Sequence, residues 1–328
     1  MSSGSPGLLG FVLRRVMFGV PTLFIVVSAV FMMVHLAPGN PLNFITGDAD
    51  LSDAQLAELK RAYGLDQSLG VQYYLYVSKI LTGDFGMSYR YQESVASLII
   101  DRLPATLILM VPAMILFISI GILLGVLAAR YPNSRAGLVL SGIGLFGWSV
   151  PVFWLGQLLV IVFALKLGLF PTQGMLNLRN PTEGWGKVLD IALHLALPAL
   201  ALGMRFVALS MRMTRSSMMQ VLRLDYMTTA RAKGLSERAM LSTHALPNAL
   251  LPVITIVGMD FGTMLTGSVL VEVVFAWPGM GRLLYDGVMA RDYPLITGII
   301  LCATVAVILV NLVTDILYAL IDPRIRYS

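Results

Sequence analysis

Six long apolar stretches recur along this sequence, and they constrain its fold more than any other feature. They cover residues 16–36, 105–129, 138–165, 191–211, 250–274 and 295–321. A helix rises ~1.5 Å per residue, so about 20 apolar residues are needed to cross a hydrocarbon core ~30 Å thick. The pattern predicts an all-α integral membrane protein with six transmembrane helices.

The composition excludes several other classes of protein. Only 12% of the 328 residues are charged and 57% are hydrophobic, with a mean hydropathy of +0.80. Soluble domains carry about 25% charged residues, so the surplus apolar surface of this chain must face lipid. A cytosolic enzyme and a disordered chain are therefore excluded. A disulfide-linked secreted scaffold is excluded too, because Cys302 is the single cysteine.

The first apolar stretch is predicted to remain as a membrane anchor. It follows Arg14 and Arg15, as the apolar part of a signal peptide would. Its length of about 21 residues exceeds the usual 7–15 of a signal peptide, and no small-x-small cleavage site follows it.

Lysine and arginine residues are distributed unevenly between the loops. Twelve fall in segments 1–15, 130–137, 212–249 and 322–328, against five in the short loops of the opposite side. Because cytoplasmic loops are enriched in Lys and Arg, both termini are predicted to be cytoplasmic. The net charge of +5 is then a topology signal, and no nucleic-acid partner is predicted.

Segment 37–104 is predicted to form a structured extracytoplasmic loop. Ser52 and Gln55 have capping-box spacing ahead of an apolar stripe that ends at Gly64, and a second apolar stretch covers residues 73–81. The loop is interpreted as a cap over the spans, and a docking platform for an external partner is the second interpretation.

Segment 212–249 carries the most specific pattern. Residues 225–235 read Asp-Tyr-Met-Thr-Thr-Ala-Arg-Ala-Lys-Gly-Leu. Asp225 favours the start of a helix and Gly234 favours its end, so a short helix is predicted. Its small side chains would let another surface approach closely, as in helix-in-groove docking. A basic loop that only fixes orientation is the alternative.

The order of residues in this segment resembles the EAA loop of importer-type ABC permeases. Thr-Ala-Arg-Ala-Lys-Gly-Leu at 229–235 and His-Ala-Leu-Pro-Asn-Ala-Leu-Leu-Pro at 244–252 are similar to the form used by the peptide-importing branch. The Glu, the first Ala and the Ile of the general motif are replaced by Thr228, Thr229 and His244. Further segments similar to that branch lie at 36–41, 83–88, 102–106, 213–218, 277–282, 291–294 and 322–324.

On these motifs the chain is identified as a member of the dipeptide/oligopeptide importer family, as its "B"-type permease. The resemblance implies a type I ABC importer permease fold, with a five-helix core at 105–321, in the bacterial cytoplasmic (inner) membrane. Relatives that import nickel or glutathione share much of the pattern.

The resemblance also implies a set of partners. These are a second, "C"-type permease, two ATPase subunits or domains, an extracytoplasmic substrate-binding protein, membrane lipid and the peptide. ATP and Mg would be bound by the ATPases, and this chain would be a non-catalytic subunit without a cofactor of its own. Its sequence agrees, because it contains no G-x-x-x-x-G-K-[ST] loop.

By the same resemblance, part of segment 212–249 is the ATPase-coupling helix. Residues 228–230 would contact a groove on the ATPase, Gly234 would make the turn, and Arg231 and Lys233 would make polar contacts. The whole predicted set is Asp225, Tyr226, Thr228, Thr229, Ala230, Arg231, Lys233, Gly234, Leu246 and Pro247.

Four ionisable residues lie within the predicted spans, where such residues are functional candidates by default. Arg205 and Asp315 lie at similar depth, about 9 Å from the inner ends of their spans, so an ion pair is predicted, with snorkelling by Arg205 as the alternative. Asp260 would line the pathway or be capped by a neighbour. Glu272 would be hydrated near the outer end of its span, and His194 would be an interfacial residue.

Two rival classes are disfavoured. A membrane enzyme would need a nucleophile or a metal site, and the sequence contains neither H-E-x-x-H nor G-x-S-x-G; no metal site is predicted. A stand-alone secondary transporter or channel would need no coupling loop, and such proteins often carry internal repeats, of which the sequence shows no convincing example.

Overall fold

The computed structural model is all-α, as predicted. It describes residues 8–36, 54–55, 66–131, 134–135, 139, 142, 147, 149–259 and 261–321. Among these residues the only β-type pairing is an isolated bridge between Met87 and Ser94.

The described helices are numbered here in chain order. They are α1 (Leu8–Leu36), α2 (Leu69–Leu81), α3 (Val95–Arg130), α4 (Val152–Leu159), α5 (Trp185–Val221), α6 (Asp225–Ala232), α7 (Glu237–Ala239), α8 (Leu246–Met259), α9 (Phe261–Val274), α10 (Met280–Met289) and α11 (Tyr293–Ile321). Two π-helical segments continue α4 and α7, namely π1 (Val160–Lys166) and π2 (Met240–Ala245).

Four described helices are long and apolar enough to cross a membrane. They lie at Leu13–Leu36, Val95–Arg130, Trp185–Val221 and Tyr293–Ile316, and they contain most of the first, second, fourth and sixth predicted spans. The second starts ten residues before the predicted position 105, because the helix continues through Pro104 instead of starting after it. Membrane helices tolerate such prolines when neighbouring groups satisfy the freed carbonyl.

The third predicted span is interrupted at Pro151, and most of the fifth is covered by α8 and α9. After Pro151, α4 and π1 form a shorter apolar helix, Val152–Lys166. The 14-residue helices α8 and α9 lie on either side of residue 260, which is outside the described residues. The count of six spans therefore stays a prediction.

The chain divides into two compact units. The first contains Ala105–Arg282 and Leu309–Ser328 together with the first 13 residues, and the second contains Arg14–Pro104 and Leu283–Ile308. The core of the first unit is built from side chains of α3, α4, α5 and α9 and of the loop after α9. Its most buried members include Leu109, Met110, Phe206, Met264 and Trp277.

Within the first unit, α3 and α5 approach closely through two glycines. A Cβ atom at Gly121 would lie 2.7 Å from the carbonyl oxygen of Val207, and one at Gly125 would lie 2.7 Å from that of Met211. Small residues four positions apart are a common means of close helix packing in membranes. This contact fixes α3 against the helix that leads to α6.

Within the second unit, α2 packs on α1 through aromatic side chains. The rings of Tyr73 and Tyr76 lie 5.2 and 5.4 Å from that of Phe31, and the hydroxyls of Tyr73 and Ser28 share a hydrogen bond of 2.6 Å. Burial raises the pKa of Tyr76 to about 12. The apolar stretch at 73–81 lies within α2, whereas the stretch from Ser52 to Gly64 lies largely outside the described residues.

Candidate functional site

Helix α6 occupies the centre of the predicted coupling loop. It begins at Asp225, as predicted, because the preceding Leu224 is extended (φ −74°, ψ 149°). It ends at Ala232, and Gly234 then adopts φ +76°, a left-handed conformation that glycine reaches without a Cβ penalty. The local sequence therefore sets both ends of the helix.

The helix has one buried and one exposed side. Met227 and Ala230 are 2% and 8% exposed, and their spacing of three residues places them on one face. Thr228, Thr229 and Arg231 are exposed, as is Lys233 just beyond the helix. The sequence predicts that Ala230 contacts a groove on the partner ATPase. The structure turns Ala230 inward, because its face of α6 packs on the buried ends of this chain's own helices.

The buried side of α6 is part of a group of small and flexible side chains that we name the Met–Ala cluster. Its buried members are Ala129, Met218, Met227, Ala230, Met240, Ala245 and Ala249. They come from α3, α5, α6, π2 and α8, so the cluster joins α6 to the ends of three longer helices. A displacement of α6 would therefore press on all of them.

The two halves of the sequence motif meet beside α6. The Tyr226 hydroxyl donates to the carbonyl oxygen of His244 at 3.3 Å. The Asn248 amide donates to the same carbonyl at 3.0 Å and to the Tyr226 hydroxyl at 3.1 Å. Leu246 is half-buried and Pro247 is exposed in the first turn of α8. These bonds fix α6 to the start of α8.

Sequence reasoning missed Met227 and Asn248 as members of this site. Met227 is separated from Ala230 by two exposed threonines. The one sequence signal for a buried face of α6 is therefore this apolar pair three residues apart. Asn248 follows Pro247 directly in the second half of the motif, and its role depends on a partner 22 residues away.

The structure corrects the prediction for Glu272. This side chain is 0% exposed, so it is buried in the protein instead of lying at a hydrated helix end. The Thr106 hydroxyl donates to its Oε1 at 2.8 Å, and the backbone N–H of Arg282 donates to its Oε2 at 3.0 Å. The physical reason is that the chain after α9 folds back over the carboxylate, where the indole of Trp277 also donates to the carbonyl oxygen of Ala105 at 2.8 Å.

The structure places the other predicted ionisable residues in different surroundings. Arg205 lines a cavity of about 320 Å³ between α4, α5 and α9. Arg205 and Asp315 are both half-buried and both have interaction partners, and their mutual ion pair stays a prediction. Asp260 lies outside the described residues. His194, predicted to be interfacial, is 8% exposed with its Nδ1 3.1 Å from Asp190 Oδ1.

The sequence of this chain matches a known family of transport proteins. Residues 121–327 match the family described as "Binding-protein-dependent transport system inner membrane component", and residues 8–110 match the N-terminal region of such components. The chain belongs to this family. It is an ABC importer permease, and its N- and C-terminal parts both carry the family pattern.

Two relatives from Escherichia coli (strain K12) cover the permease almost completely. The dipeptide transport system permease protein DppB is 39% identical over 338 aligned positions, which cover 98% of this chain and 100% of DppB. The glutathione transport system permease protein GsiC is 43% identical over 322 positions, with 98% and 100% coverage. The permease is thus homologous to both along its whole length.

A solved structure supports the fold. The permease is similar to a chain of the methionine ABC transporter MetNI in an inward-facing form, with a TM-score of 0.53 and 16% identity. The likeness covers 69% of this chain and 96% of that chain. It supports the type I ABC importer permease fold that the sequence predicted.

Proposed function

We propose that this permease moves short peptides into the cytoplasm as the "B"-type subunit of its importer. The observation that carries the proposal is the full-length homology to a dipeptide permease and a glutathione permease, at 39% and 43% identity. Both named substrates are small compounds of amide-linked amino acids. A pathway with few ionisable groups in its apolar helices suits such variable cargo, because it does not hold particular side chains tightly.

The proposed assembly contains a second permease of the "C" type, two ATPase subunits or domains and an extracytoplasmic binding protein. Membership of a binding-protein-dependent family supports ATPase and binding-protein partners. In this proposal ATP and Mg bind only to the ATPases, and the permease itself is non-catalytic. Substrate selection belongs mainly to the binding protein.

Helix α6 is the proposed coupling helix. Its exposed side offers Thr228 and Thr229 to a groove on the ATPase, with Arg231 and Lys233 for polar contacts at the groove's edge. Its other side rests on the Met–Ala cluster, so a pull from the ATPase would reach α3, α5 and α8. This arrangement supports a mechanical role, because helix-in-groove docking joins the two subunits without any bound ligand.

The proposed orientation places α6 and both termini in the cytoplasm of a bacterial inner-membrane protein. The excess of Lys and Arg in segment 212–249 and in the three other segments on its side supports this orientation. A cysteine accessibility measurement on whole cells tests it. In a Cys302→Ser background, exposed Arg223→Cys should react only with a permeant thiol reagent, and a reaction with an impermeant one would reverse the orientation.

Reconstitution tests the function. The permease with its "C"-type partner, ATPases and binding protein should take up a labelled dipeptide into ATP-loaded liposomes, and labelled glutathione serves as a second substrate. Nickel uptake in place of either peptide would contradict the proposed substrate class. Uptake by the permease alone would contradict the proposed function.

A further inference from the structure

We propose that Arg130 and Glu237 form a strut that carries the movement of α6 into α3. The inference rests on the proposed role of α6 as the coupling helix. The two side chains meet as a bidentate pair: Arg130 Nε donates to Glu237 Oε1 at 2.9 Å, and Arg130 Nη2 donates to Glu237 Oε2 at 2.8 Å.

The pair joins two elements that are distant in sequence. Arg130 is the last residue of α3. Glu237 is the first residue of α7, which the hydroxyl of Ser236 caps by accepting a hydrogen bond from the backbone N–H of Ala239 at 3.3 Å. Because α7 continues through π2 into α8, the strut connects the end of α3 to the helical segment that leads into the fifth predicted span.

The Met–Ala cluster by itself does not fix the position of α3 relative to α6 and α8 well. Methionine is unbranched and adapts to changes in its surroundings, and alanine offers only a methyl group for interlocking. A guanidinium that binds a carboxylate through two parallel bonds fixes both distance and angle. The ring of Tyr131, 5.0 Å from the Arg130 guanidinium carbon, further restricts that side chain.

The strut is exposed to solvent, so its role in coupling can be tested separately from any role in folding. The side chains of Arg130 and Glu237 are 38% and 55% exposed. Ion pairs exposed to solvent contribute little to stability. Breaking this pair should therefore leave the permease folded and assembled, while α3 follows the movement of α6 less closely.

The test uses charge reversal in the complete reconstituted importer with its ATPases, partner permease and binding protein. Arg130→Glu and Glu237→Arg, each alone, should lower the number of dipeptides taken up per ATP hydrolysed by roughly fivefold or more, the range of measurable coupling between sites. The double variant, Arg130→Glu with Glu237→Arg, should restore most of the wild-type ratio.

Arg135→Glu is the matched control, because it reverses an exposed charge five residues beyond Arg130. It should keep the wild-type ratio. Single variants that keep the wild-type ratio would overturn the strut, and so would a double variant that assembles but does not recover. If the wild-type assembly itself shows no ATP-dependent uptake, the proposed function fails instead of the strut.

Discussion

At the scale of single residues, Glu272 is the clearest example of what the sequence could not reveal. Its carboxylate accepts hydrogen bonds from Thr106, 166 residues earlier, and from the backbone of Arg282, ten residues later. A position near the end of an apolar stretch indicates hydration only when no other segment covers it. Here the chain after α9 provides that cover, and no local pattern encodes it.

Replacement of Glu272 tests this network. Glu272→Ala should lower the free energy of unfolding by about 1–3 kcal/mol, because the Arg282 N–H and the Thr106 hydroxyl lose a buried acceptor. Glu272→Gln should cost less, since its amide oxygen still accepts one bond. Thermal unfolding of the purified permease in detergent measures both variants. Glu93→Ala, at an exposed carboxylate, is the control, and an equal loss there would contradict the assignment.

At the scale of elements, α6 shows which part of the site is predictable. Its limits follow from local chemistry, namely Asp225 in the first turn and the left-handed Gly234. The choice of which side of α6 faces inward does not follow from local chemistry, because an eight-residue helix rich in small residues has no clear apolar face. The Met–Ala cluster decides the orientation, and its members come from five separate segments.

Enlarging the buried side of α6 tests that orientation. Ala230→Leu should displace α6 at a cost of about 1–3 kcal/mol, as is usual for added volume in a packed core. It should also lower uptake per ATP. Ala232→Leu places the same side chain at an exposed position of the helix and should have little effect on either quantity. Equal effects of the two variants would contradict the inward orientation of Ala230.

A proline at the end of α6 tests the turn. Gly234 has φ +76°, whereas proline is fixed near −65°, so Gly234→Pro should distort the turn and uncouple ATP hydrolysis from uptake without preventing membrane insertion. Gly168→Pro is the matched control, because Gly168 has φ +63° and, like Gly234, no described atom within 4 Å of an added Cβ. Normal transport by Gly234→Pro would refute the coupling role of α6.

At the scale of the whole molecule, the sequence predicted the fold class, the family and four of the long apolar helices. Apolar stretches specify that a helix forms, because the bilayer requires internal hydrogen bonding. They do not specify whether a proline interrupts it, as at Pro151, or where π-helical turns replace α-helical ones, as in π1. They also do not specify which helix ends contact each other, and both the Met–Ala cluster and the Arg130–Glu237 strut depend on such contacts.

In the proposed mechanism, this chain passes peptides only when partner ATPases act on α6. The most direct measurement is labelled dipeptide uptake into liposomes that contain the complete importer, with ATP inside, compared with liposomes that contain the permease alone. We predict ATP-dependent uptake by the complete importer, and none when the ATPases are omitted. Equal uptake by the permease alone would contradict the claim.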